Sequence, residues 1–510
     1  MTDPSVTRIA ARDVAIALSL ANICYLRIWA EILAVTSTEA YFLSVANSDV
    51  LAVVLNVLLL AAAFLGATAI ARRFGRRGRI AIIAGFVTVL AAQLNALGPE
   101  LAPGVLSVID RWRNGLYLEA LAPVVVLLAI VAAAVRWPER SLKLTVGLVY
   151  ILTPFVAVTF ARAAWILVSV NPTHALAPLA PPIGTPVAEA AGPRVVVIVM
   201  DALSAHHAID ARPPGFELPE FDRFRAGAID AREVTQIGRT TGVSIPAMLS
   251  GLRVTDSRPI SDDELLLTID STETQPWSTA PNLLRDADSL GGVAILAGWY
   301  HPYCRLFPDL DGCSTYPTRT IGSRGRDTGF WRALVDQQLA LIPYTSLRLR
   351  QIEIVESQRD DALEAVTTGG RGLVFLHLIL PHTPWIWDEE SESYTVTRFD
   401  PDGYYDNLHL MDRVLGELRR EMEAAGKWDG TAVLLLSDHV MRYRPQYLNE
   451  PADPRVPFIL KLPGQATGVV YERPFSAMVT HDLVTALLRG ELTTVGAATA
   501  WLDQVSAPAP

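Results

Sequence analysis

What this chain is short of narrows its possibilities first. Charged residues make up only 19% of its 510 positions against 51% hydrophobic, and the formal net charge is −10. A chain without a cationic surplus is poorly matched to a phosphate backbone, which argues against nucleic acid as its main partner. No GxxxxGK[ST] loop occurs, so the common backbone cradle for nucleotide phosphates is missing. Cysteine is scarce, with three in the whole chain. Cys24 falls within an apolar run, while Cys304 and Cys313 flank RLFPDLDG. No second Cys/His pair stands at zinc-site spacing, which argues against metal ligation by this pair. In an oxidising compartment it reads as a disulfide closing a small loop, with two free thiols as the alternative.

The few charges are unevenly placed. Residues 1–170 are very apolar, and residues 192–505 have the composition of an ordinary soluble domain. A chain this long exceeds one hydrophobic core, so two or more domains are expected. Five apolar segments stand out, Val14–Val35, Val50–Ala71, Ile80–Leu97, Leu116–Val135 and Thr145–Val170. Each approaches the ~20 residues a helix needs to cross a bilayer. The first is too long, and its cleavage signal too poor, for a removed signal peptide. The loops ARRFGRRGR (71–79) and RWPERSLK (136–143) are arginine-rich, whereas TSTEAYFLSVANSD (36–49) has neither Lys nor Arg. Positive loops stay in the cytoplasm, so the amino terminus lies inside and everything after Val170 outside. Arg27, Glu31, Glu119 and Arg162 then share the outer half of the membrane. Charges there face a bundle interior or a wet cavity, as salt bridges that fix packing or as a cradle for a lipid headgroup.

Residues 171–193, rich in proline and alanine, form an extended linker. Beyond it, RVVVIVMD (194–201), GVAILAGWY (292–300), GLVFLHLIL (372–380) and TAVLLLSD (431–438) are short, continuously apolar and β-rich, as parallel strands covered on both faces are. VPFILKLPG (456–464) is a further strand, and residues 281–290 and 406–426 carry helical periodicity. Residues 194–505 are therefore predicted to form an α/β domain on a mainly parallel sheet, whose ligands bind beyond the carboxyl ends of the strands. Asp201 ends the first strand, His382 follows the third, and Asp438 and His439 end the fourth. Singly, an aspartate there is a helix cap and a histidine a loop residue. Together, carboxylates and imidazoles at one edge suit Zn²⁺ or Mn²⁺.

Three stretches resemble the alkaline-phosphatase superfamily, specifically its sulfatase-like, membrane-anchored phosphotransferases, which include phosphoethanolamine transferases and lipoteichoic acid synthases. VVVIVMDALSAHH is similar to the strand ending in a metal-binding acid. TTGVSIPAMLSG (240–251) is similar to the nucleophile helix. Residues 405–439 are similar to the helix and strand that end in an Asp-His metal pair. The resemblance spans about residues 194–490, and the five-helix part also resembles phosphoethanolamine transferases. It implies Thr241 as nucleophile, metal held by Asp201, Thr241, Asp438 and His439, and His382 as phosphoryl-oxygen ligand, second-metal ligand or acid–base group. A hydroxyl at a helix amino terminus also suits this role, because free N–H groups and the dipole stabilise its alkoxide and an attached phosphoryl group. Pro246, early in that helix, is expected to do little harm.

The resemblance further implies a phospholipid headgroup donor, an envelope glycan or glycolipid acceptor, and a bacterial cytoplasmic (inner) membrane location with the catalytic domain on the periplasmic or extracellular side. A hydrolase acting as phosphodiesterase or phosphatase, and a non-catalytic membrane scaffold, are the competing readings. No CxPxR or SxPxR occurs, and Thr cannot become the formylglycine of sulfatases, which favours phosphoryl chemistry. The pattern departs at Val440, where glycine is usual, at Ala202, where sulfatases carry a second acid, and near Pro451, where a second histidine is absent. One metal, two at most, is implied. His206 and His207 are expected at the surface or behind the site, His377 in the core or behind the site, and His301 near the acceptor. His174 and His481 are expected to be structural, and His409 solvent-facing.

Overall fold

The computed structural model describes residues 11–34, 38, 41–75, 77–78, 80–82, 85, 132, 136–169, 180–185, 192–317, 319–320, 329–341, 345–368, 370–397, 402–442 and 453–506. Two compact units result. The first is Met1–Val35, Val45–Leu176 and Thr320–Ser346; the second is Thr36–Ser44, Ala177–Arg319 and Leu347–Pro510. Two segments thus leave the expected boundaries. Thr320–Ser346 joins the apolar unit, and Thr36–Ser44, from between two apolar segments, joins the α/β unit.

In the first unit, α1 (Ala11–Cys24), α2 (Leu26–Ala34), α3 (Asn47–Arg72), α4 (Pro138–Ile151) and α5 (Thr153–Ser169) are helical. Among the described residues, two helical stretches are long and apolar enough to cross a membrane, Asn47–Ala71 and Glu139–Val168. The expected single crossing over Val14–Val35 is instead two helices bent by 75°. The break falls where Tyr25 N bonds Asn22 O, only three residues back. The Asn22 side chain there accepts from Thr159 Oγ1 at 3.2 Å. Counted as one span, the bent pair brings the candidate spans among the described residues to three, against the five expected. The expected segments Ile80–Leu97 and Leu116–Val135 lie almost wholly outside the described residues, and Glu119 with them. Helix Phe330–Leu339 packs on α3, where Asn56 Nδ2 donates to Leu334 O at 3.0 Å and Gln337 Nε2 to Asp49 O at 2.8 Å.

The second unit is built on eight strands: β1 (Arg194–Asp201), β2 (Ile229–Ala231), β3 (Val293–Tyr300), β4 (Gly312–Pro317), β5 (Gly372–Pro381), β6 (Thr431–Ser437), β7 (Phe458–Lys461) and β8 (Val469–Tyr471). Their spatial order is β8-β2-β7-β6-β1-β5-β3-β4. Only β7 runs antiparallel to its neighbours. The continuous apolar runs are explained by burial on both faces. Val195, Val197 and Val199 enter one core with Leu434 and Phe375, while Val196, Ile198 and Met200 enter the other with Leu435 and Val374. Helices cover the sheet on both sides: α6 (Pro219–Ala226), α7 (Thr241–Ser250), α8 (Leu283–Ser289), α9 (Thr345–Thr368), α10 (Gly403–Ala424) and α11 (Thr480–Leu488). Apolar residues of α7, α8 and α11 join the first core, and those of α6, α9 and α10 the second. An antiparallel three-stranded sheet, Val254–Pro259, Leu265–Ile269 and Glu273–Pro276, is an addition that alternation alone did not announce.

Register positions the site. Thr431 and Gly372 both pair with Arg194, so β6, β1 and β5 start level. Ser437 pairs with Met200, which places Asp438 beside Asp201 at the same edge. On the other side the ladder slips between Leu378 and Pro381, and Pro381 meets Asp201. The loop after this bulge carries His382. Asn407 of α10, fully buried, pins it. Its Oδ1 accepts from Ile386 N at 3.1 Å, and its Nδ2 lies 3.2 Å from His382 O and 3.3 Å from Pro384 O. Asn407→Ala strands these groups and should cost about 2–4 kcal/mol. A chemical-denaturation midpoint that does not move would contradict this account of the loop.

Candidate metal centre

Thr240 has extended backbone (φ −143, ψ 147) and caps α7, so Thr241 is the first helical residue. Val243 N and Ser244 N both bond Thr240 O, leaving the Thr241 and Gly242 N–H groups at the site end. Pro246 lies five residues further on, beyond the first turn, so the expectation that its missing N–H is harmless there does not hold. The carbonyl it deprives is that of Gly242, and the Ser257 hydroxyl donates to it at 2.6 Å. The proline is tolerated because a neighbouring strand replaces its donor. Gly251 ends the helix with left-handed φ of 68, its N–H on Ala247 O.

Four side chains meet at the end of this helix. Thr241 Oγ1 donates to Asp438 Oδ2 at 2.9 Å and lies 3.3 Å from Asp201 Oδ2 and 3.4 Å from His439 Nε2. All four are buried, at 5% exposure for Thr241, 0% for both aspartates and 1% for His439. His439 Nδ1 donates to Val440 O at 3.0 Å, which turns the Nε2 lone pair toward Asp201 Oδ1 at 3.8 Å and Asp438 Oδ2 at 3.5 Å. Asp438 Oδ1 accepts from Ala202 N and His439 N. Asp201 Oδ2 accepts from the Trp299 indole at 3.1 Å, and Oδ1 is buried with no hydrogen-bond partner. Burial raises the Asp438 pKa, the Asp201 charge adding to it. For Asp201 burial is outweighed by His382, His377 and His439, which hold its carboxyl below the usual range.

A lone pair, an orphaned carboxylate oxygen and two like charges converge without water access. A cation removes all three conflicts. The ligand atoms of Asp201, Asp438 and His439 lie within 4.8 Å of one another, and two carboxylates with an imidazole are a donor set for Zn²⁺ or Mn²⁺. The residues therefore fit the metal that the sequence suggested.

His382 stands beside this cluster rather than in it. It is half-buried, its ring centroid is 5.4 Å from that of Trp299, and its Nδ1 donates to Thr383 O at 2.7 Å. Cys304 and Cys313 are joined by a disulfide, and Cys24 is a buried free thiol. His377 proves to lie behind the site. Its Nε2 is 3.8 Å from Asp201 Oδ2 and its Nδ1 is 2.8 Å from the Tyr303 hydroxyl. Gly298 makes room for this pair, since a Cβ there would stand 2.6 Å from the Tyr303 ring. Trp299 and Tyr303 were not read from the sequence; Trp299 is the penultimate residue of β3. His481 pairs with Asp286 and Asp482. His409 was expected to face solvent; it stacks on Phe216 and pairs with Glu389 at 2.9 Å, with only 17% of its side chain exposed. The stretch around Pro451 and His174 lie outside the described residues.

Residues 356–489 match the Sulfatase family profile, a stretch that supplies His377, His382, Asp438 and His439. No curated protein matches the chain. Among solved structures it is similar to Ps i-CgsB, at 14% identity over 61% of this chain and 77% of that one with a TM-score of 0.42. It is similar to a phosphonate monoester hydrolase of Agrobacterium radiobacter, at 13% identity over 58% and 74% with a TM-score of 0.40. It is also similar to the lipoteichoic acid synthase LtaP from Listeria monocytogenes, at 13% identity over 59% and 72% with a TM-score of 0.36.

Two measurements follow. Asp201→Asn and Asp438→Asn should each weaken Zn²⁺ or Mn²⁺ binding by at least about 100-fold, beyond the roughly 10–100-fold loss typical of an outer-shell partner. Calorimetry showing unchanged affinity in both variants would remove the centre. Ser257→Ala leaves Gly242 O without a donor and should lower stability by about 1 kcal/mol, read as the shift in thermal midpoint.

Proposed function

We propose that the chain is a membrane-anchored, metal-dependent phosphotransferase. It takes the headgroup of a membrane phospholipid, phosphoethanolamine or phosphoglycerol, and passes it through a phosphothreonine at Thr241 to an envelope glycan or glycolipid. The observation carrying this reading is the Thr241 hydroxyl at a helix amino terminus, 2.9–3.4 Å from three buried ligand side chains. Threonine, unlike cysteine or serine, cannot become a formylglycine, so the sulfatase-like stretch is paired here with phosphoryl chemistry. The apolar helices suit a donor that resides in a bilayer. We place the α/β unit on the periplasmic or extracellular side of a bacterial inner membrane, a reading supported by the arginine-rich loops.

In the first step Thr241 Oγ1 bonds to phosphorus and the ester bond to diacylglycerol breaks. The hydroxyl hydrogen already points at Asp438 Oδ2, and burial raises the proton affinity of that carboxylate. A Zn²⁺ or Mn²⁺ ion held by Asp201, Thr241, Asp438 and His439 would supply Lewis acidity and ease deprotonation. The N–H groups of the first turn of α7 receive the phosphoryl oxygens. His382, its Nδ1 hydrogen committed to Thr383 O, keeps Nε2 for proton exchange with the departing and entering hydroxyls. In the second step an acceptor hydroxyl bonds to phosphorus, the Thr241 ester breaks, and Thr241 regains a proton.

Water in place of the acceptor would make the same site a phosphodiesterase or phosphatase, a reading the sulfatase-like segment favours. Purified protein incubated with labelled phosphatidylethanolamine or phosphatidylglycerol, with and without an envelope glycolipid, separates the two. Transfer predicts label on the acceptor and a Thr241 peptide heavier by the headgroup phosphate. Thr241→Ala should abolish both. Undiminished turnover in that variant, with no mass gain in the parent, would end the proposal.

A further inference from the structure

The segment Thr36–Ser44 belongs to the α/β unit, although the chain before and after it belongs to the apolar unit. It places two aromatic residues near the nucleophile helix. Tyr41, 1% exposed, holds its hydroxyl 2.8 Å from His301 Nδ1. Phe42 packs edge-on against Tyr300, with centroids 5.3 Å apart. The His301 ring packs edge-on against Tyr300, centroids 4.8 Å apart, and Tyr300 carries the contact to the first turn of α7. The Tyr300 hydroxyl is 3.4 Å from where a Cβ on Gly242 would stand. Tyr300 itself takes a left-handed backbone, φ 77, uncommon for an aromatic residue.

We infer that Tyr41 is a positioning residue for Thr241: its hydroxyl fixes the orientation and tautomer of the buried His301, and His301 in turn seats the Tyr300 ring against Gly242 at the start of the nucleophile helix. The inference rests on the reading of Thr241 as nucleophile. His301 is 1% exposed and its Nε2 has no hydrogen-bond partner, so Tyr41 is its anchor on the Nδ1 side. Burial, with His377 adding, lowers its pKa to about 3, so the ring is neutral at physiological pH and carries one hydrogen. When Tyr41 donates to Nδ1, that hydrogen is on Nε2. Rings of Trp277, Tyr300 and Tyr303 enclose the imidazole within 4.8–5.6 Å between centroids, a cage that supplies packing without a competing charge. The connection between two apolar segments is thereby a part of the catalytic machinery and not a passive link.

The test is a double-mutant cycle on the full-length, detergent-solubilised chain with Tyr41→Phe and His301→Gln, read by hydrogen exchange of the peptide spanning 238–250. Tyr41→Phe keeps the ring and removes only the hydroxyl. Losing one buried hydrogen bond should raise exchange at the start of α7 about tenfold, with the melting temperature held within about 3 °C. His301→Gln should do the same, and the double variant should be no worse than either single one. In the labelled-lipid assay Tyr41→Phe should slow phosphothreonine formation about tenfold with the KM for lipid unchanged. Unchanged exchange, additive effects of the two substitutions, or loosening spread across β1 and β5 would overturn the inference. The exchange readout does not depend on turnover. Undiminished transfer by Thr241→Ala would therefore sink the proposed function, while the exchange cycle still decides whether Tyr41 positions the helix.

Discussion

Two carboxylates at the ends of adjacent, in-register strands set the terms for the whole α/β unit. Asp201 and Asp438 are both fully buried, and Ser437 pairing with Met200 keeps them side by side. Backbone N–H groups satisfy one oxygen of Asp438, and none reaches Asp201 Oδ1. Like charges at such separation are costly in a dry interior. Among the described residues, no lysine or arginine pairs with either carboxylate, whose ion-pair partners are histidines. The protein turns an imidazole lone pair and a hydroxyl toward the same point, an arrangement that a bound cation would make favourable. Metal binding and the integrity of this edge are thus one energetic problem.

Much of this was legible in the sequence, for a simple reason. A strand buried on both faces must be apolar throughout, so a polar residue at its carboxyl end stands out. RVVVIVMD and TAVLLLSD announced Asp201 and Asp438 in that way, and TTGVSIPAM announced a helix opening on a hydroxyl. What apolar patterning cannot encode is register and distant contact. The slip between Leu378 and Pro381, which aims the His382 loop, depends on how β5 meets β1. The bend at Tyr25 has no proline or glycine to mark it, and depends on Asn22 finding Thr159 in another helix. Tyr41 sits in an unremarkable polar loop, and nothing local connects it with His301, 260 positions away. Pro246 was visible, but its compensation by Ser257 was not, because the donor comes from a strand after the helix has ended.

Of the five non-glycine residues with left-handed φ among the described residues, two stand where strands hand over to the site. Ala202, next to Asp201, has φ 63, and Tyr300, next to Trp299, has φ 77. Each left-handed non-glycine residue costs roughly 1–2 kcal/mol. At Ala202 the conformation brings its N–H to Asp438 Oδ1 and its carbonyl to the Tyr404 hydroxyl at 2.9 Å. At Tyr300 it sets the ring beside Gly242. Strain of this kind persists when surrounding contacts over-determine the geometry. Here the over-determination comes from side chains of separate elements: α10 through Tyr404, the Thr36–Ser44 segment through Phe42, and the 254–259 strand through Ser257.

The electrostatic consequence of the buried histidines follows from their partners. At His301 and His377, Nδ1 lies 2.8 Å from a tyrosine hydroxyl, that of Tyr41 and of Tyr303 respectively. His301, held neutral by burial, adds no fixed positive charge beside Thr241. Both tyrosines have their pKa raised, chiefly by burial, so they add no negative charge either. The scaffold around the nucleophile is therefore rigid and close to uncharged on this side. The attraction for a phosphate then has to come from the first turn of α7 and from whatever cation the two aspartates hold. An anionic headgroup approaching without that cation would meet two carboxylates with a net repulsion. Under the proposed function, loading the metal would be a precondition for retaining the cargo, imposed by the same pair of strand-end residues that positions the threonine.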